Sequence, residues 1–185
     1  MDKGQNPTVI AETDHLRLVE RNGWSFVQRK NASGVVSIVA LTEERKVLLV
    51  EQFRPPVNCR VVEFPAGLAG DLEAYSQEAL EDAARRELLE ETGYKAEVFR
   101  RRAVVSSSAG MTDEVITMFL AEGLRKVGPG GGDESEDIAV HEVPLENVDR
   151  WLEEAQAKGK MVASRVYAGL YFLTQAEQGR EHDPQ

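Results

Sequence analysis

A single cysteine, Cys59, is all the chain offers in thiol chemistry, so no internal disulfide can form and no thiolate cluster can hold a metal. Long apolar runs are missing too. No stretch approaches the roughly 18 residues of a membrane-spanning helix, and the polar start MDKGQNPTV lacks the basic-then-apolar layout of a signal peptide. These absences point to the cytoplasm and away from the membrane. Basic residues are outnumbered, 22 Lys and Arg against 32 Asp and Glu, for a formal net charge of −10. A surface of that sign attracts nucleic acid poorly and disfavours a role on DNA or RNA. Internal repeats are absent as well. What remains, 185 residues of which 42% are hydrophobic, suits one domain with a small appendage.

Along the chain, LRLVE and WSFVQR flank the turn dipeptide Asn22-Gly23 and predict an N-terminal β-hairpin region over residues 1–34. The runs VVSIVAL (35–41) and VLLVEQF (47–53), split by the charged TEERK, predict neighbouring strands, and RVVEF (60–64) a further one. Pro65-Ala66-Gly67 is expected to turn the chain out of it. Leu80, Ala83, Ala84, Leu88 and Leu89 recur at helical spacing, with Ser76 as the expected N-cap and Gly93 as the stop. EVFR (97–100), AVVS (103–106), EVITMFLA (114–121) and IAVHEV (138–143) read as strands, and a Gly-rich acidic loop, GPGGGDESED, occupies 128–137. Two helices are expected at the end, about Leu145 to Ala157 and Val162 to Gln175. The main domain is expected over 35–178, with a disordered tail over 179–185. The mixed order of strands and helices predicts an α/β fold in which helices cover both faces of a sheet.

In RRELLEETG, the carboxylates of Glu87 and Glu91 lie about 40° apart around a helix and roughly 6 Å apart along it. Glu90 sits about 60° to the other side of Glu87. Three acidic groups therefore crowd the C-terminal end of a helix, where the dipole already disfavours negative charge. Such a cluster is either a solvated face offset by Arg85 and Arg86, or a seat for a hard divalent cation, of which Mg²⁺ typically bridges carboxylates to substrate phosphates.

The surrounding pattern decides between them: Glu78, seven residues, Arg86-Glu87-Leu88, one residue, Glu90-Glu91, one residue, Gly93-Tyr94. In this the chain resembles the Nudix hydrolase family. It departs in the ten residues between Gly67 and Glu78, where the signature has five between its glycine and its first glutamate, and in Tyr94 at a position that is commonly aliphatic. The resemblance implies an α/β/α sandwich with a mixed sheet. It also implies that Glu87, Glu90 and Glu91 bind Mg²⁺, two or three ions for which Mn²⁺ can substitute. It implies further that Arg86 pairs with Glu78 to brace the preceding loop and that Gly67 and Gly93 serve as structural glycines, and it makes the carbonyl of Ala66 a further ligand candidate.

Beyond the box, EQFRPP with VVEFPAGL, SSSAGMTDE, and GDESEDIAVHEVPLENV followed by two helices are similar to the branch that hydrolyses ADP-ribose and nucleoside diphosphate sugars. That branch implies a homodimer and a small-molecule nucleotide sugar as substrate. An acidic residue of the Gly-rich loop would position the attacking water and accept its proton, Glu134 first and Glu136 second, the latter also as a metal ligand, with Glu91 in the catalytic set. Arg54 is the expected phosphate contact, since a guanidinium at a strand end can grip two oxygens. Glu63 is expected to hydrogen-bond base or ribose, and Trp24 and Phe26 to stack on a nucleobase or else to serve as core or dimer contacts. Ala109 stands where ADP-ribose hydrolases of the branch usually carry proline, so other sugar nucleotides such as GDP-mannose stay open, as do dinucleoside polyphosphates and nucleoside triphosphates. A module that senses nucleotide without cutting it would commonly lose box glutamates, and here all three are present.

Overall fold

A computed structural model describes residues 6–70, 79–132 and 137–177. Ser76, Glu78, Glu134, Glu136 and the tail 179–185 lie outside the described residues.

The chain opens with β1 (Thr8–Glu12), β2 (Leu16–Arg21) and β3 (Trp24–Arg29), a small antiparallel sheet in the order β1-β2-β3. The turn between β2 and β3 forms as expected, with Asn22 and Gly23 both at positive φ, 54° and 76°. β1 is an addition to the expected hairpin. All five of its residues are exposed, so it carries no inward–outward alternation for a sequence pattern to reveal.

Two four-stranded mixed sheets carry the rest. One contains β4 (Gly34–Ala40), β7 (Ala66–Ala69), β9 (Val98–Ser106) and β10 (Val115–Glu122), in the order β7-β4-β10-β9. The other contains β5 (Lys46–Arg54), β6 (Cys59–Glu63), β12 (Ala139–Pro144) and β13 (Met161–Val162), in the order β12-β5-β6-β13. A two-stranded piece joins β8 (Tyr94–Lys95) to β11 (Arg125–Lys126).

Several expectations are corrected here. β4 and β5 are not ladder neighbours; an isolated bridge, Leu41 to Val47, joins their ends. Each already has a partner on both edges, β7 and β10 for β4, β6 and β12 for β5, so neither has an edge left for the other. EVFR and AVVS form one strand, β9, because the register slips between its pairings with Met118 and Phe119 and leaves Arg102 as the extra residue of a bulge. The chain bends at Pro65 and leaves the sheet of β6 as expected, but residues 66–69 do not form a turn: they are a strand, β7, whose Ala66 pairs with Ser37 of β4 in the other sheet. The last two helices start later than expected, after a 3-10 turn (Leu145–Asn147) and after β13 respectively.

α1 (Leu80–Thr92) covers one side of the sheets, packing Ala83, Ala84 and Leu88 against Val36, Ile38, Ala40 and Leu48. α2 (Val148–Ala157) and α3 (Ser164–Glu177) cover the other, with Leu152, Ala155, Val166 and Leu173 against Val39, Val47, Leu49 and Phe64. Alternate residues of β4 therefore serve opposite layers, as a period of two requires, and the result is an α/β/α sandwich. Burial of a side chain such as Leu88 contributes about 1.5–3 kcal/mol, which offsets the cost of gathering carboxylates on the same helix. α3 lies close because Gly169 has no Cβ; one would overlap the Phe64 ring and approach Val39 Cγ2 to 2.8 Å.

Candidate active site

The ends of β5, β6 and β7 and the last two turns of α1 meet at a cleft of about 690 Å³. Of the residues singled out in the sequence, Arg54, Glu63, Ala66, Gly67, Glu87 and Glu91 line it. Helical spacing brings Glu87 and Glu91 to one face, and the bend at Pro65 carries the chain into β7, which brings Ala66 and Gly67 beneath them.

Glu91 is 3% exposed and accepts a hydrogen bond from the backbone N–H of Ala66 at 3.0 Å. Glu87 sits directly over Gly67, where a Cβ would overlap its carboxylate. The glycine therefore leaves the space that the carboxylate fills. Arg86 ties this end of the helix to the sheet. Its Nη2 donates to the carbonyl of Leu68 at 2.9 Å, and its Nη1 donates to Glu87 at 2.8 Å and Glu90 at 3.1 Å. Glu90 is not among the residues lining the cleft, and half of its side chain is exposed.

The donor set fits a hard divalent ion. Among the described residues no three acidic, His or Cys side chains close into a ready cage, but Mg²⁺ keeps several waters and takes its remaining ligands from substrate phosphates. Two carboxylates beside a backbone turn, at a helix end whose dipole disfavours them without a counter-charge, suit such an ion.

The Gly-rich loop is docked onto the same helix end. The N–H groups of Gly131 and Gly132 donate to the carbonyls of Glu91 and Glu90 at 2.8 and 3.0 Å, and that of Gly128 donates to Gly93 at 3.0 Å. These bonds satisfy carbonyls that a helix C-terminus leaves without partners. Gly93 ends α1 in the left-handed region at φ 74°. Gly130 is at φ 71°, and a Cβ there would overlap the Thr92 backbone. On the far side of residues 133–136, Asp137 is gripped by Arg60, whose Nη1 donates to Oδ2 at 2.7 Å and whose Nη2 donates to the carbonyl at 3.2 Å. Arg60 is in turn held by Glu51 at 2.7 Å, and Glu51 also receives Lys160 at 2.6 Å and His141 at 2.9 Å. Burial pushes the Glu51 carboxyl up, but hydrogen bonds from Lys160, Arg60 and His141 outweigh it and hold the group at about 2. The described residues on both sides of 133–136 are thus anchored.

Trp24 and Phe26 are not brought to the cleft by this chain. Trp24 is 63% exposed, and its Nε1–H donates to the carbonyl of Gly110 at 3.3 Å. Phe26 lies under the Arg21 guanidinium, 5.5 Å from ring centre. Residues that the sequence did not single out complete the cleft, among them Arg29, Ser107, Glu114 and Arg165. Arg29 is paired with Glu114 at 2.7 Å, and Arg165 with Glu63 at 2.5 Å. Arg29 and Arg165 belong to no segment that the sequence marked, whereas Ser107 and Glu114 lie within SSSAGMTDE, where the likeness of the segment singled out neither side chain.

The profile of a family described as the NUDIX domain matches residues 32–165. The chain is 36% identical over 122 residues to a methanol dehydrogenase activator of Bacillus methanolicus, spanning 65% of this chain and 63% of that protein. It is 37% identical over 146 residues to an ADP-ribose pyrophosphatase of Bacillus subtilis (strain 168), spanning 78% of this chain and 76% of that one. A crystal structure of an ADP compounds hydrolase shares the fold, with a TM-score of 0.68 at 19% identity over 98% of this chain and 100% of that one.

Proposed function

The chain belongs to the NUDIX family and is a hydrolase, and from that premise we propose that it splits the phosphoric anhydride of a nucleoside diphosphate sugar, ADP-ribose foremost, into a nucleoside monophosphate and a sugar phosphate. One observation carries the reading: a single cleft holds the carboxylates Glu87 and Glu91 together with the guanidinium Arg54. Carboxylates seat cations, and guanidiniums grip phosphate oxygens. A cleft with both suits an anionic substrate that arrives with divalent ions.

Mg²⁺ ions, two or three, with Mn²⁺ as substitute, would be held by Glu87, Glu91 and the Ala66 carbonyl, with Glu90 and Glu136 contributing; when bound they neutralise charge on the anhydride. Arg54 orients the diphosphate. Glu134 positions the attacking water and accepts its proton, on a loop whose two flanks are anchored at Gly131–Gly132 and at Asp137. Val9, Ile10 and Trp24 of the N-terminal sheet are 46, 53 and 63% exposed. An apolar surface of this kind supports a homodimer, in which Trp24 and Phe26 would reach the partner's cleft or the interface.

Product analysis tests the activity. With Mg²⁺, ADP-ribose should yield AMP and a ribose phosphate, and other sugar nucleotides the matching pairs. Release of pyrophosphate from nucleoside triphosphates, with sugar nucleotides left intact, would overturn the reading in favour of a triphosphatase.

A further inference from the structure

Glu63 lines the cleft and yet is 4% exposed, and both of its oxygens are occupied. Oε2 takes the side edge of Arg54, with Nε at 2.7 Å and Nη2 at 2.6 Å. Oε1 takes Nη2 of Arg165 at 2.5 Å. Three elements converge here: the end of β5, the end of β6 and the first turn of α3. With its acceptors engaged in this way, Glu63 is poorly placed to receive hydrogen bonds from a base or a ribose.

The trio carries one negative and two positive charges. Arg54 spends its Nε/Nη2 edge on Glu63, which leaves its outer edge, Nη1 with the second hydrogen of Nη2, for a bidentate grip on an anion. Its side chain is 40% exposed, that of Arg165 20%. A pair of Arg54 and Glu63 alone would be neutral, and an approaching phosphate would meet the Glu63 charge along with the guanidinium. Arg165 offsets that charge and fixes the carboxylate from behind. The cluster is not explained by stability, because a buried ion pair gains little over apolar packing, and the Nε of Arg165 is buried without a hydrogen-bond partner, which is a cost.

We infer that Arg165 and Glu63 are positioning residues that aim and charge the phosphate-gripping edge of Arg54. The inference rests on the proposed reading of the cleft as a nucleoside diphosphate site. It assigns the diphosphate, rather than the base or the ribose, to this end of the cleft.

A double-mutant cycle tests it, with Arg54→Ala, Arg165→Gln and the pair, each checked for folding by thermal melt. Arg165→Gln should lower kcat/KM for ADP-ribose by about tenfold to a hundredfold in the native background. In the Arg54→Ala background it should change by about twofold or less, because the group it acts through is gone. Equal losses in both backgrounds would overturn the inference, and so would no loss in the native one. Should Arg165→Gln fail to fold, Glu63→Gln, which keeps the shape, runs the same cycle; a direct contact from Glu63 to base or ribose would instead show equal losses in both backgrounds. If the native protein cleaves no sugar nucleotide, the proposed activity has failed, and the cycle is then read on the Kd for ADP measured with chelator present. Non-additive Kd values would keep the positioning role, and additive ones would remove it.

Discussion

The contact between Gly67 and Glu87 shows how one missing side chain shapes the site. The carboxylate occupies the space where a Cβ would stand, and because it is the far end of a flexible side chain it can be pushed aside at small cost. Gly67→Ala should therefore leave the fold largely intact, with a loss of about 1 kcal/mol in a denaturant melt, while turnover falls on the order of tenfold or more as a ligand group is displaced. Unchanged turnover would show that the position of Glu87 is immaterial. The pairing of Glu87 with Glu91 was legible in the sequence because helical periodicity fixes which residues share a face. Arg29 and Arg165 were not legible, and Glu114 only as the last residue of SSSAGMTDE. They come from β3, the start of α3 and the segment before β10, and only the tertiary arrangement brings such separated residues together. The occupancy of Glu63 was hidden for the same reason, since one of its two partners lies 102 positions further along the chain.

At the scale of elements, the C-terminus of α1 and the Gly-rich loop form one unit, and Glu51 secures the loop's far flank through Arg60. Glu51 is held at about 2 in the folded protein, against an ordinary 4.5. A carboxyl depressed by folding stabilises fully above its ordinary value, and that contribution fades as pH falls from about 4.5 towards about 2. The amount at neutral pH is roughly 3 kcal/mol. Glu51→Gln should melt well below the native protein at pH 7, and the gap should narrow as both are titrated from pH 5 down to the acid limit; a gap that stays constant would contradict the role given to Glu51. The strands from β4 onward were readable where apolar runs were long, as were the helices where a period of 3.6 held. Several features escaped: β1, which buries nothing; β7, hidden behind a proline; the two-residue strands β8, β11 and β13, too short to show a period; and the continuity of β9, broken in the sequence by three consecutive arginines that a bulge accommodates.

At the scale of the whole molecule, a net charge of −10 is set against a cleft proposed to take an anionic substrate; Arg29, Arg54 and Arg165 are gathered there beside four glutamates, and the proposed divalent ions would supply the remaining positive charge. The α/β/α layering followed from the mixed order of elements, whereas the separation of β4 and β5 into different sheets did not, because adjacency in sequence says nothing about which edges are already taken. The exposed apolar residues of β1–β3 predict association: sedimentation at micromolar concentration should show a dimer, and Ile10→Asp should shift it towards monomer, whereas a monomeric native protein would count against the interface. The central claim is that Glu91 in this cleft serves hydrolysis of a nucleoside diphosphate sugar. Glu91→Gln keeps the shape and the acceptor for the Ala66 N–H while removing the charge. Release of AMP from ADP-ribose with saturating Mg²⁺, compared between the native protein and a folded Glu91→Gln variant, should fall on the order of a hundredfold or more; equal rates in the two would contradict the account.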